Sequence, residues 1–144
     1  MRKYFLMLSA SILFLACSDD SKTVAPEPGS IFKVEYIQTG KFDDYKKEIG
    51  FSQPLVYEGT AVETGPVLND AALTNGKYVL VSSKKLELLK VTFNTEPKEG
   101  PGEMAEFVIN VYKDGKRIDN KSFKVAGGGV MNHSWEYKGG LMPN

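Results

Sequence analysis

Three groups of side chains in this chain of 144 residues have types and spacings that could do chemistry. They are Cys17, the stripe His133, Trp135 and Tyr137, and the carboxylates Asp43, Asp44 and Glu48. Cys17 is the only cysteine, and it closes an apolar run from Phe5 to Ala16 that follows Arg2 and Lys3. A basic start, an apolar stretch and a small residue before a cleavage point make a secretory leader. A cysteine directly after that point is what lipoprotein processing uses. Its thiol takes diacylglycerol, and its freed amine takes an acyl chain. Phe14 stands where a leucine is usual, with Leu15 beside it. A membrane-spanning anchor needs about 20 apolar residues, and Ser9 and Ser11 interrupt this shorter run. Cleavage after residue 16 and acylation of Cys17 are therefore expected.

His133, Trp135 and Tyr137 share one strand parity, while Ser134, Glu136 and Lys138 occupy the other. The aromatic side could stack on sugar rings as a ligand-binding platform. The clean polarity of the opposite side favours a stripe turned to the core. Asp43, Asp44 and Glu48 offer oxygens to calcium, but the spacing of a calcium loop is absent, so they read as a solvated turn. One histidine and no second cysteine exclude the common zinc and copper sets. No metal and no cofactor are expected. Nucleophilic catalysis needs a nucleophile, a base and an orienting group, and no G-x-S-x-G occurs. Gly127-Gly128-Gly129 is not a phosphate loop, because no Lys-Ser/Thr pair adjoins it. The chain does not read as an enzyme.

Charge narrows the partners. Lys and Arg number 18 against 18 Asp and Glu. Two of the basic residues fall in the leader, so the remainder is slightly acidic. No basic excess exists to hold nucleic acid, and without cysteine pairs the fold must rest on burial alone.

The elements that must position these residues are strands. Residues 18–30 (SDDSKTVAPEPGS) are polar and proline-bearing, with no apolar period. With Cys17 they read as a flexible tether over 17–30. From residue 31 the apolar spacing is two. Phe32, Val34 and Tyr36 alternate with Lys33 and Glu35; Tyr45, Ile49 and Phe51 share a parity; Leu89, Val91 and Phe93 alternate; so do Phe107, Ile109 and Val111. Such β-branched and aromatic segments between turn clusters are strands. Only 43–48 and 84–90 could pass as helical turns. Asp114-Gly115 between two strands predicts a type I′ hairpin, with Tyr112 opposite Arg117 and Val111 opposite a buried Ile118. Phe123 and Val125 then fall on the wrong parity, which calls for a bulge or a change of sheet partner near Asn120. The expectation is an all-β, immunoglobulin-like antiparallel β-sandwich of about six to eight strands over 31–138. A tail, 139–144, follows.

Several segments carry a family resemblance. Lys33-Val34-Glu35-Tyr36 with Gly40, and Val108 to Lys116 followed by a glycine-bearing stretch, resemble the small β-sandwich lipoproteins of Bacteroidota. Ser18-Asp19-Asp20, directly after the cysteine, resembles the acidic export signal of surface lipoproteins in that group. A more distant similarity is to the β-domain of MmpS (mycobacterial membrane protein small). That likeness implies an accessory to an exporter and no catalytic residues, although this chain carries a lipid-anchor signal in place of a transmembrane helix. Together these readings imply an outer-membrane lipoprotein, held to the membrane by its N-terminal lipid and open to the cell surface. Its sandwich is expected to act as a non-catalytic accessory or adhesion-type module for a protein or envelope polysaccharide. The alternative is a carbohydrate-binding lipoprotein using the His133, Trp135 and Tyr137 platform.

Overall fold

The alternating segments close into two antiparallel sheets in a computed structural model that describes residues 28–140. Cys17, most of the expected tether and residues 141–144 lie outside the described residues. The strands are β1 (Phe32–Gly40), β2 (Tyr45–Phe51), β3 (Val56–Tyr57), β4 (Val67–Asn69) and β5 (Lys77–Val81). They continue with β6 (Leu88–Pro97), β7 (Gly102–Lys113), β8 (Lys116–Gly127) and β9 (Met131–Lys138). One sheet runs β3-β5-β1-β7-β8 and the other β4-β2-β6-β9. The sandwich expected from the sequence is present, with two short edge strands, β3 and β4, that the apolar pattern did not announce. Of the two stretches that could pass as helical, only Phe42–Asp44 turns, as one 3-10 turn, and Tyr45 already opens β2.

Period-two spacing decides which side chains are inside. Phe32, Val34 and Tyr36 of β1 face the core beside Phe107, Ile109 and Val111 of β7. Across the gap they meet Ile49, Leu89, Val91 and Phe93 from the second sheet, all without solvent exposure. The centre is aromatic. Phe107 lies 6.4 Å from Tyr36, 6.1 Å from Tyr45 and 5.4 Å from Phe93, ring centre to ring centre. Gln38, buried on this face, is satisfied, as its desolvation requires. Gln38 donates through Nε2 to the carbonyls of Leu73 and Asn75 at 2.7 and 2.8 Å and accepts from the Tyr36 hydroxyl at 3.0 Å.

The domain's edges are tied together. Ser30, placed by the sequence at the end of the tether, is buried and exchanges backbone hydrogen bonds with Leu86 at 3.0 and 2.9 Å. Its hydroxyl donates to the carbonyl of Gly139, and the Gly139 N–H donates to the carbonyl of Glu87 at 2.6 Å. A side chain at Gly139 would run into the backbone of Leu86, so the close approach of these segments needs a glycine.

The hairpin is corrected in one respect. Asp114 and Gly115 have φ of 49° and 81°, as a type I′ turn requires, and Tyr112 faces Arg117. The bulge called for near Asn120 sits at Ile118, so Val111 pairs with Asp119 and not with Ile118, which is left outside the ladder at 44 % exposure and is not buried. That extra residue flips the parity of everything after it. Phe107 therefore faces Phe123, and Ala105 faces Val125, on the core side. The turn is also buttressed, because Asp114 Oδ1 accepts from the Ile31 N–H at 2.9 Å. Ile118→Ala should consequently change stability by less than about 0.5 kcal/mol. Gly115→Val forces a β-branched residue to positive φ and should cost about 1–3 kcal/mol. Urea titration of the two variants checks this order; a larger loss at Ile118 would contradict the bulged register.

Candidate functional site

Three places bring functional side chains together, and the first is the seam between β8 and β9. These are edge strands of the two sheets, and Phe123 of β8 packs against His133 and Trp135 of β9. Trp135, His133 and Tyr137 face Val91, Phe93 and Leu89 across the β6–β9 ladder, on the core side. The structure separates the three. Tyr137 is buried, Trp135 is half-buried and His133 is exposed. The Tyr137 hydroxyl donates to Asp119 Oδ2 at 2.9 Å. Burial, then that carboxylate, pushes the phenol's pKa up, so it stays a neutral donor. His133 and Trp135 form a cluster of near-parallel rings with Phe123, at 4.7 Å from Phe123 to His133 and 5.5 Å from His133 to Trp135. Lys121 Nζ lies 6.0 Å from the Trp135 ring centre. Phe123 was missing from the sequence-derived platform because it stands on β8, in the other sheet, and no local pattern brings β8 beside β9.

The second place is a cleft of about 710 Å³ along the polar side of the four-stranded sheet. Register lines up Asn69, Glu48, Asn94 and Asn132 across β4, β2, β6 and β9. Asn94 Nδ2 donates to Glu48 Oε1 at 3.2 Å, and Lys46 pairs with Glu96 at 3.0 Å. Thr95 also lines the cleft, and its buried Oγ1 has no hydrogen-bond partner. None of these cleft residues except Glu48 was singled out in the sequence. Their signal was the polar parity of β2 and β6, which reads equally as a solvated face.

The third place adjoins the cleft and is built on Lys47. This lysine occupies an inward position between Tyr45 and Ile49, and its side chain is 1 % exposed. Its Nζ reaches Asp70 Oδ1 at 2.6 Å, the Phe42 carbonyl at 3.1 Å and Asp43 Oδ1 at 3.7 Å. Lys98 Nζ holds the other Asp70 oxygen at 2.7 Å. Asp44 Oδ2 accepts from the Glu103 N–H at 3.1 Å. Of the three carboxylates weighed for calcium and read as a solvated turn, Asp43 and Asp44 thus join this cage, while Glu48 lines the cleft.

The half-buried carboxylates share an electrostatic state. Burial raises the pKa of Asp70, but hydrogen bonds and charge from Lys47 and Lys98 outweigh it and hold the group below its ordinary 3.8. Burial of Asp119 is outweighed in the same way by Tyr137, Lys121 and the Asn120 N–H. Glu35 is held below 4.5 chiefly by a hydrogen bond from Lys77. Depressed carboxylates stabilise the fold above their unfolded pKa values, and that contribution is lost as pH falls through the folded ones. The urea midpoint should be flat from about pH 7 to 5 and fall below about pH 4. A midpoint that rose on acidification would contradict the assignment.

Two antiparallel sheets closed on one aromatic core define the domain as a β-sandwich. Residues 1–136 match the family described as "PLAT/LH2 and C2-like Ca2+-binding lipoprotein", and the chain belongs to that family. No curated protein matches. A calcium-bound protein from Parabacteroides distasonis, solved by NMR, is 23% identical, with a TM-score of 0.65 over 77% of this chain and 95% of that one. A DUF4425 family protein from Bacteroides ovatus is 15% identical, with a TM-score of 0.61 over 76% of this chain and 94% of that one. A DUF4425 domain from Bacteroides vulgatus is 10% identical, with a TM-score of 0.59 over 81% of this chain and 99% of that one. At these identities the structures share the fold.

The family's description raises a test that the donor atoms answer. Calcium takes six to eight oxygens, several of them from carboxylates. Among the described residues no three acidic or histidine side chains converge on a point. Asp70, the carboxylate best placed to bridge segments, already has an ammonium on each oxygen. Asp119 is held by Lys121 and Tyr137, and Glu35 by Lys77 and Asn110. The described residues offer no set of side chains that fits a calcium ion.

Proposed function

We propose that this lipoprotein is a non-catalytic accessory module, acylated at Cys17 and anchored in the outer membrane, that holds a hydroxyl-rich envelope polysaccharide in the cleft on its four-stranded sheet. The observation that carries the reading is the row Asn69, Glu48, Asn94 and Asn132 in register across four strands. Amides and a carboxylate spaced by the sheet's strand separation donate and accept along one line, which is what successive sugar hydroxyls require. The cleft holds no histidine and no nucleophile beside a base, so it favours binding over turnover. A second reading rests on the seam, where the exposed His133 ring with Phe123 and Trp135 offers a surface for a single sugar ring.

One set of variants separates these readings. Mobility of the protein in native gels cast with envelope polysaccharide should be retarded. The retardation should disappear in Glu48→Ala/Asn94→Ala and persist in Trp135→Ala, with unchanged circular dichroism in each. Loss only in Trp135→Ala moves the site to the seam. Retention of an envelope protein, and no polysaccharide, by the cleft replaces the ligand class. Cys17→Ser should leave the domain in the soluble fraction; continued membrane association would remove the anchor from the proposal.

A further inference from the structure

The cage around Lys47 sits where three connections of the sandwich meet. It joins the 3-10 turn between β1 and β2, the segment after β4, and the segment between β6 and β7. Lys47 brings its ammonium to the Phe42 carbonyl and the carboxylates of Asp43 and Asp70. Lys98 closes the other side of Asp70 at 2.7 Å, and its own N–H donates to the Asp44 carbonyl at 2.8 Å. Asp44 then reaches the Glu103 N–H at the start of β7. A carbonyl and carboxylates gathered from separate segments around one positive charge make up the cross-link a bound divalent cation supplies in a loop cluster. Here the charge is an ammonium carried on the chain itself.

We infer that Lys47, seconded by Lys98, does the structural work of a metal ion in this member of a calcium-binding lipoprotein family, so that the domain folds and keeps its loop arrangement without calcium. Two features favour an internal cation over an exchangeable one. The Lys47 side chain is almost fully buried and its stem runs through the inner face of β2, so it cannot swing out to admit an ion without opening the sheet. Asp70 spends both oxygens on lysines, and a calcium ion there would lie beside two fixed positive charges. Like charges brought that close repel, most strongly against the Lys47 ammonium, which water does not reach.

The test is a calcium titration of the mature chain. Thermal unfolding in EGTA and in millimolar Ca2+ should give the same Tm, within about 1 °C, whereas a site filled to a hundredfold its Kd would raise Tm by about 10 °C in a domain of this size. Amide resonances of Asp43, Asp44 and Asp70 should show no saturable shift on adding Ca2+. Lys98→Gln, the milder of the two lysine substitutions, should lower Tm by a few degrees, equally with and without calcium. A saturable shift at those amides, a calcium-dependent Tm in the wild type, or a Lys98→Gln variant no less stable than the wild type would each overturn the inference. These readouts involve no polysaccharide, so they stand apart from the outcome at the cleft.

Discussion

Phe107→Ala is expected to destabilise the domain by about 3–5 kcal/mol, because it empties the centre of the aromatic core. Phe107 is fully buried at the middle of β7, paired with Gln38 on one side and Phe123 on the other. Its ring is the point where the two sheets meet. It is edge-on to Tyr45, stacked with Tyr36 and tilted against Phe93. Alanine would remove both the transfer free energy of the ring and the contacts that hold three other rings, leaving a void that a two-sheet sandwich closes only partly. Phe107→Leu keeps most of the volume and should recover more than half of the loss. Urea unfolding of both variants checks this. A loss below about 1.5 kcal/mol for the alanine variant would mean that the sheets slide to refill the space and that the core is less fixed than its ring geometry implies.

What could be read from the sequence follows from the physics of a strand. Wherever one face is buried and the other solvated, alternation shows it, and Phe32-Val34-Tyr36, Leu89-Val91-Phe93 and Phe107-Ile109-Val111 were legible for that reason. Asp114-Gly115 was legible because few residue pairs tolerate two positive φ values. The need for a bulge before Phe123 was legible in its parity; its position was not, because an unpaired Ile118 carries no chemical mark and is an ordinary β-former that the ladder skips. Phe123 joins the seam from the other sheet, which no single-strand pattern announces. The edge strands β3 and β4 are two and three residues long, too short for a period to register. Ser30 looked like tether because its burial depends on partners more than fifty residues away, Leu86 and Gly139.

The candidate sites were harder to read than the fold, for a reason visible at Lys47. Asp43 to Glu48 is rich in charge, and charge near a turn ordinarily means solvent. The contrary signal was parity: Lys47 shares its face with Tyr45, Ile49 and Phe51, where a lone charge has to be paired. Its partner Asp70 lies beyond two intervening strands, so the pair is invisible to any local window. The cleft raises the reverse difficulty. Asn69, Glu48, Asn94 and Asn132 look like any solvated face until register sets them in line.

A double-mutant cycle on Lys47 and Asp70 is expected to show the second large effect. Asp70→Ala removes the nearest counter-charge from an ammonium that is nearly inaccessible to water. The remaining partners are the Phe42 carbonyl and an exposed Asp43 at 3.7 Å. Stranding a buried charge in this way should destabilise the fold by about 3 kcal/mol. Lys47→Met keeps the apolar stem and discards the charge. Asp70 then still has Lys98 and partial access to water, so the cost should be about 1 kcal/mol, mostly for the carbonyl left without a donor. Once the ammonium is gone there is nothing to strand. Adding Asp70→Ala to Lys47→Met should therefore cost far less than 3 kcal/mol, with a coupling of about 2 kcal/mol between the sites. Additive losses would show that Lys47 finds other partners or water when Asp70 is removed. In that case the cage would not hold its lysine as a fixed charge, and the three connections it joins would have to be anchored by their backbone hydrogen bonds alone.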